Sequence, residues 1–121
     1  MLIATGPNLL DADALARLRE LDPDGRAGVL QRVMRTYESS LQRTLPALVQ
    51  ARLGQDHDEI GRLAHTLKSS SASVGALALS RSCAEVEALA RKLQTGDFDA
   101  AVERLFADAA AASAAVRDML R

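Results

Sequence analysis

The chain has 121 residues, enough for one domain around a single core, and 48% of them are hydrophobic while 26% are charged. A net charge of -1 gives no basic field for nucleic acid, and only 2% of the residues are aromatic side chains on which bases could stack. The N-terminus lacks the basic region of a signal peptide and breaks at Gly6-Pro7, and no apolar stretch is long enough to span a membrane. We therefore expect a cytoplasmic protein without membrane insertion.

The first half of the chain is predicted to form two helices, because β-branched residues are scarce and never alternate over a strand length. Asp11 is a candidate N-cap for a short helix over 12–21. A second helix is predicted over 26–53, and Pro46 inside it should bend or split it. Its apolar stripe consists of Leu30, Met34, Tyr37, Leu41, Leu45 and Leu48.

A third helix is predicted from a cap at Asp56 or Asp58 to about residue 74, where Gly75 is a natural break. Its predicted buried stripe consists of the residues that the helical period brings to one face: Ile60, Leu63, Ala64, Leu67, Ser71 and Val74.

The last two helices are separated by a turn predicted at Thr95–Gly96, after which Asp97 can serve as a cap. The fourth helix is predicted over 76–94 with the stripe Leu79, Cys83, Val86, Ala90 and Leu93. The fifth carries Phe98, Val102, Leu105, Ala109, Ala112, Val116 and Met119 at the spacing of a helical bundle.

Four long helices with one apolar stripe each predict an all-α fold, an antiparallel four-helix bundle with a short additional N-terminal helix. We expect one domain over 1–121, with residues 1–10 as a flexible N-terminal segment. The lone Cys83 cannot form an internal disulfide and is expected to pack in the core, which agrees with a reducing compartment.

The third helix is predicted to expose a histidine. Each residue advances about 100° around a helix, so the apolar stripe falls within about 60° of Ile60 while His65 falls near 140°. Apart from one lysine, its neighbours along that strip are small, which leaves room for another protein to approach: Gly61, Lys68, Ser69 and Ala72.

An exposed imidazole next to a lysine suits phosphoryl transfer. A neutral imidazole nitrogen is a nucleophile near neutral pH, and its product would be a phosphoramidate that can pass the group onward. Lys68, three residues after His65, lies on the same side and could bind phosphate oxygens.

Other chemistries are weaker candidates. His57 sits at the start of its helix with nothing arranged around it, and a metal site that used both histidines is disfavoured because their directions differ by about 80°. For the serine run 69–71, the sequence identifies no base and acid that could activate a serine as a nucleophile, so the sequence gives little support to a hydrolase. Without a glycine-rich nucleotide loop, the chain is not expected to use ATP by itself.

The segment 62–76, RLAHTLKSSSASVGA, resembles the signature of histidine-containing phosphotransfer (HPt) domains of bacterial phosphorelays, HxLKGSSxxxGA. The helix that follows, with SCAEVEAL, is similar to the cysteine- and glutamate-rich helix of that family. The family's glycine after the lysine is replaced by Ser69. The matching positions are His65, Leu67, Lys68, Ser70, Ser71, Gly75 and Ala76.

The resemblance implies that His65 accepts a phosphoryl group from a receiver aspartate and passes it to another, with Lys68 positioning the group. It implies receiver domains of response regulators or hybrid sensor kinases as partners, and Mg²⁺ in the receiver rather than a cofactor of this chain. Such a protein is a carrier more than a free-standing enzyme, and we expect a monomer. The expected partner-binding residues are Gly61, Arg62, Ser69 and Ala72.

Three alternatives remain open from the sequence. A helical interaction module could bind a receiver or another partner without carrying phosphate, and a homodimerising bundle could be purely structural. Within the phosphorelay class, the chain could correspond to the N-terminal phosphotransfer domain of a chemotaxis kinase, although the HTLKSSS segment resembles the relay type more closely.

Overall fold

The computed structural model describes residues 10–92 and 95–121, and within these ranges all regular secondary structure is helical. The predicted all-α class and the order of the five helices are confirmed. Their bounds are α1 Ala12–Glu20, α2 Val29–Leu53, α3 His57–Ser73, α4 Leu77–Lys92 and α5 Thr95–Leu120.

Helix α2 begins at Val29 rather than at the predicted Arg26. The carboxylate of Asp22 accepts hydrogen bonds from the backbone N–H groups of Ala27 and Val29, both at 3.2 Å. These bonds hold the preceding residues in a loop, and Gly28 completes the loop with a left-handed φ of 65°. A side chain from the preceding turn therefore sets the start of the helix.

The predicted split of α2 at Pro46 is wrong, because the helix is continuous from Val29 to Leu53. Proline removes a single backbone donor, the one that would bond to the carbonyl of Gln42. Pro46 lies on the exposed face of α2, where water can satisfy that carbonyl. The apolar stripe continues past it with the buried Leu48.

Helix α3 is capped by Asp56 and not by Asp58: the Asp56 carboxylate accepts from the backbone N–H of Glu59 at 3.1 Å. The helix ends at Ser73, and Gly75 then takes a φ of 83°, which side-chain-bearing residues rarely adopt. This short turn reverses the chain into α4.

The start of the described chain docks onto that turn. The N–H of Asp11 donates to the carbonyl of Gly75 at 2.8 Å, and a Cβ at residue 75 would lie 2.7 Å from the Asp11 nitrogen. Leu10 is buried, so the predicted flexibility of residues 1–10 is wrong at this position. For residues 1–9 the prediction lies outside the described residues.

The boundary between α4 and α5 also differs from the prediction. Helix α5 already begins at Thr95, so the expected turn at Thr95–Gly96 is helical and Asp97 lies in the first turn rather than at the cap. The negative charge of Asp97 in this first turn still interacts favourably with the positive end of the helix dipole. The predicted end of α4 at Leu93 and Gln94 lies outside the described residues.

The long helices pack in a ring: α3 lies against α2 and α4, α5 lies against the same two helices, and α1 packs on α2. Contacts in three of these pairs connect rising residue numbers on one helix to falling numbers on the other, which makes the pairs antiparallel. They include His65–Glu87 and Lys68–Ser80 for α3–α4, Ser82–Asp108 and Glu85–Arg104 for α4–α5, and Glu38–Arg117 and Arg52–Glu103 for α2–α5.

The core lies inside this ring and contains most residues of the predicted stripes. The stripe residues Leu30, Leu45, Leu63 and Met119 are only partly buried and pack against its edge. Cys83 is fully buried as expected, and burial raises the pKa of its thiol to about 12. Tyr37 on α2 shares a hydrogen bond of 2.8 Å with the buried hydroxyl of Ser71 on α3, and burial raises the pKa of Tyr37 to about 12. None of the helices in the described ranges has the length and apolar character of a membrane span.

Candidate functional site

His65 projects from the middle of α3 into solvent, with 64% of its side chain exposed. The neighbouring Ala64 and Leu67 are buried, so the same turn of helix both anchors the site and presents the imidazole. The exposure predicted from helix periodicity is confirmed.

A carboxylate from α4 holds both predicted site residues. Oε2 of Glu87 lies 2.7 Å from Nδ1 of His65, and Oε1 of Glu87 accepts a hydrogen bond from Nζ of Lys68, also at 2.7 Å. Glu87 is only 15% exposed, whereas Lys68 is 33% exposed. One partly shielded carboxylate therefore links the imidazole to the ammonium group.

Glu87 also decides which nitrogen of the imidazole is free to react. The hydrogen bond from Lys68, and to a smaller extent that from His65, lowers the pKa of Glu87, so it is ionised near neutral pH. An ionised carboxylate can only accept a hydrogen bond. The proton of a neutral His65 is therefore on Nδ1, and the lone pair of Nε2 points away from Glu87.

The geometry depends on the close antiparallel pairing of α3 and α4. The hydroxyl of Ser80 donates to the backbone carbonyl of Lys68 at 3.0 Å and ties the start of α4 to α3. Buried Leu67 and Val86 adjoin the two charged residues Lys68 and Glu87 in sequence and fix their backbones. The charged groups thus sit at the edge of a packed interface.

Gly61 lies at this interface, and its expected place on the exposed strip is wrong. The residue is buried, and a Cβ there would lie 3.1 Å from the Cβ of Ala90. The glycine lets α3 and α4 approach, because a side chain on one of them is missing at the crossing. Gly61 and Ala90 form the floor of an open groove beside His65, which Arg62 and Arg91 flank.

The remaining residues of the predicted strip surround His65 on the surface. Arg62 is exposed and makes two hydrogen bonds to the carboxylate of Glu59, at 2.8 and 2.6 Å. Ser69 and Ala72 are also exposed and lie farther along α3. Their small side chains leave the approach to the imidazole open on that side.

His57 is not isolated, contrary to the expectation from sequence. Its ring centroid lies 4.5 Å from that of Phe98 on α5, and it lines the far end of the groove that reaches His65. The contact was not visible in the sequence because it joins the start of α3 to a helix about forty residues away. Across the described ranges, no three His, Cys, Asp or Glu residues are grouped as metal ligands.

The serine run has structural partners. Ser70 donates to the carbonyl of Leu67 at 3.2 Å, and Ser73 donates to that of Ser69 at 3.1 Å. Ser71 is fully buried against Tyr37. These contacts give the hydroxyls of Ser70, Ser71 and Ser73 partners, and none of these partners is a histidine or a carboxylate.

Glu87 is the site residue that sequence reasoning missed, although it stands in the SCAEVEAL segment. The signal that could have found it is the symmetry of a helical hairpin. His65 precedes Gly75 by ten residues, and Glu87 follows Ala76 by eleven. Residues about equally far from a tight turn face each other across antiparallel helices.

An exposed imidazole lies beside a carboxylate and a lysine on an all-helical scaffold, an arrangement whose chemistry suits phosphoryl transfer. The family model of the Hpt domain matches residues 32–121. The chain therefore belongs to the Hpt domain family, and it functions in histidine phosphotransfer within a phosphorelay. The resemblance seen in the sequence is confirmed.

A solved structure has the same fold. The crystal structure of histidine-containing phosphotransfer protein B (HptB) from Pseudomonas aeruginosa PAO1 matches with a TM-score of 0.81 and 23% sequence identity. The match covers 95% of this chain and 96% of that chain. A search of curated proteins gave no match.

Proposed function

We propose that His65 is the phosphoacceptor and that it carries the phosphoryl group between the aspartates of two receiver domains. The observation that supports this assignment is the 2.7 Å contact between its Nδ1 and Glu87, which leaves the lone pair of Nε2 directed outward. Exposure of the ring permits a receiver to bring its aspartyl phosphate to that nitrogen.

In the accepting step, the lone pair of Nε2 forms a bond to phosphorus while the bond between phosphorus and the aspartate oxygen breaks. The electron pair of that bond stays on the aspartate, which leaves as a carboxylate. No proton has to move, because Nδ1 keeps its own throughout. The passing step is the reverse, with the aspartate of the second receiver as the nucleophile.

Lys68 is proposed to position the transferred group. Its ammonium lies on the same carboxylate as the imidazole, so it is already close to the place where phosphate oxygens arrive. A phosphoryl group carries about two negative charges near neutral pH and competes with Glu87 for this cation. Mg²⁺ for the transfer is expected to come with the receiver, and this chain is expected to need no cofactor of its own.

The docking surface is proposed to include Arg62, Ser69 and Ala72, which are exposed around His65. Gly61 contributes through its packing against Ala90 and not through direct contact. The partners are proposed to be receiver domains of response regulators or hybrid sensor kinases.

The architecture proposed to present this site is an antiparallel four-helix bundle of α2–α5 with α1 as an additional short helix. The antiparallel contacts in three helix pairs and the ring of packed helices support it. We further propose a single domain over 1–121 that acts as a monomer in the cytoplasm.

The assignment is tested by loading the purified protein with phosphoramidate, a small donor that phosphorylates histidine without a receiver. We expect an acid-labile, base-stable adduct on the wild type and none on His65→Gln. His57→Gln is the matched control, because it removes the other imidazole of the same groove and should leave labelling intact.

Labelling of His65→Gln, or loss of labelling in His57→Gln alone, would contradict the assignment. A module that binds partners without carrying phosphate would give a different pattern. It would form no adduct on the wild type, and its binding of a receiver would be unaffected by His65→Gln.

A further inference from the structure

Glu87 contacts His65 through the ring nitrogen that the phosphoryl group does not use. The Nδ1–Oε2 distance is 2.7 Å, and 15% exposure shields the carboxylate from much of the solvent. A charge-assisted hydrogen bond of this kind is stronger than a neutral one, and it persists in the phosphorylated protein if the ring keeps its position.

We infer that Glu87 keeps a proton on Nδ1 of His65 after Nε2 has been phosphorylated, and that it thereby sets how readily the phosphoryl group leaves. The inference rests on the proposed function, since it takes Nε2 of His65 as the phosphorylated atom. Glu87 is then a positioning residue that acts through the imidazole.

The chemistry of the leaving group gives the reason. When the bond between phosphorus and Nε2 breaks, its electron pair stays on Nε2, and a new bond forms from phosphorus to the accepting oxygen. If Nδ1 carries a proton, the ring leaves as neutral imidazole. Without that proton it would have to leave as an imidazolate anion, which is a much poorer leaving group. A carboxylate beside Nδ1 favours the protonated, cationic ring.

The other charged groups around His65 do not replace Glu87. Lys68 shares the same carboxylate and acts in the opposite direction, because a second cation disfavours a cationic ring. In the groove, Arg62 is paired with Glu59, and Arg91 belongs to the wall on α4.

On the side of α3 itself, Asp58 and His57 line the groove about two turns from His65, and the ring of His57 packs at a tilt against Phe98. Helix α2 packs on the buried face of α3, which His65 does not share. Within the described residues, Glu87 is the carboxylate in hydrogen-bond contact with the imidazole.

The test is the lifetime of the phosphorylated protein as a function of pH. The wild type, Glu87→Gln and Glu85→Gln are loaded with phosphoramidate, freed of donor, and followed by ³¹P NMR between about pH 5 and about pH 10. Glu85→Gln is the matched control: it removes the same charge from the same helix, but Glu85 pairs with Arg104 on α5 at 2.6 Å.

In the wild type, loss of the phosphoryl group should slow as pH rises through the point where Nδ1 is deprotonated. In Glu87→Gln we expect the pH at which Nδ1 loses its proton to fall by about half to one unit. At pH values above this transition, the adduct should therefore last about three- to tenfold longer than in the wild type. Glu85→Gln should behave as the wild type. A merely structural role of Glu87 would change the amount of adduct without moving the profile.

Superimposable profiles for the wild type and Glu87→Gln would overturn the inference and leave the proposed function standing. If Glu87→Gln cannot be loaded, the pH profile of the wild type is compared with that of free phosphohistidine. The inference is overturned if the transition of the wild type lies at the same pH as that of free phosphohistidine or at a lower one. Failure of the wild type to form any adduct would instead overturn the proposed function.

Discussion

His65 and Lys68 depend on one another because they share Glu87, whose two oxygens each lie 2.7 Å from one of them. Any change at one of the three residues alters the charge that the other two experience. The surface around them is more independent. Ser69 lies beyond this network, one turn along α3, and its hydroxymethyl group is exposed.

Ser69→Gly tests whether the departure from the family glycine matters. We expect the wild type to accept phosphate from a phosphorylated receiver, because a hydroxymethyl group is small and can bond to water or phosphate. The glycine variant should also accept it, with a different preference among receivers, and it should be less stable by about 0.5 kcal/mol because glycine is a weaker helix former than serine.

Transfer rates from a panel of receivers and urea denaturation measure the two effects separately. Acceptance by the glycine variant alone would show that Ser69 blocks docking. Ser73→Ala is a suitable control, since it removes a hydroxyl from the same helix that bonds only to the Ser69 carbonyl in the described structure.

At the scale of helices, α3 and α4 lie so close together that one added methyl group between them changes the stability of the fold. Alanine at residue 61 would gain about 1 kcal/mol of helix propensity, but its Cβ would lie 3.1 Å from that of Ala90. Overpacking of this kind costs about 1–3 kcal/mol, and neither Cβ can rotate away.

We therefore expect Gly61→Ala to lower the free energy of unfolding by about 1 kcal/mol in the wild-type background. In the background of Ala90→Gly, the same substitution should raise it, because the opposing methyl group is gone. Urea denaturation of the four proteins measures this change of sign. An equal effect in both backgrounds would show that the two residues are not in contact.

Local signals in the sequence were enough to predict the helices, but not which residues of one helix contact those of another. Asp11 caps α1 and Gly75 ends α3 as predicted, because capping and left-handed turns depend on residues next to each other in the chain. The burial of Gly61 and the role of Glu87 require a partner on another helix. The start of α2 was missed for a similar reason, since a carboxylate from the preceding turn determines it.

At the scale of the whole molecule, two buried acids make the fold sensitive to alkali. Burial raises the pKa of Tyr37 from 10.0 and that of Cys83 from 9.0, each to about 12. A group whose pKa is higher in the folded state stabilises the fold fully below its unfolded value and loses that contribution as pH rises toward the folded value. The affected window therefore extends from about pH 9 to about pH 12.

We expect the free energy of unfolding to fall by about 2 kcal/mol or more between about pH 9 and about pH 11. Tyr37→Phe should reduce this fall, although it starts from a lower stability because the buried Ser71 hydroxyl loses its partner. Urea denaturation at several pH values gives the slopes. Identical slopes for the wild type and the variant would rule out a contribution from Tyr37.

Tyr37 also gives the protein an optical reporter of its own. The chain has one tyrosine and no tryptophan, and its two phenylalanines emit only weakly, so nearly all of its intrinsic ultraviolet fluorescence comes from Tyr37. That side chain is buried against Ser71, on the same helix as His65. Tyrosine emission should therefore report whether α3 remains packed on α2 while the histidine is phosphorylated or a receiver is bound, without any attached dye.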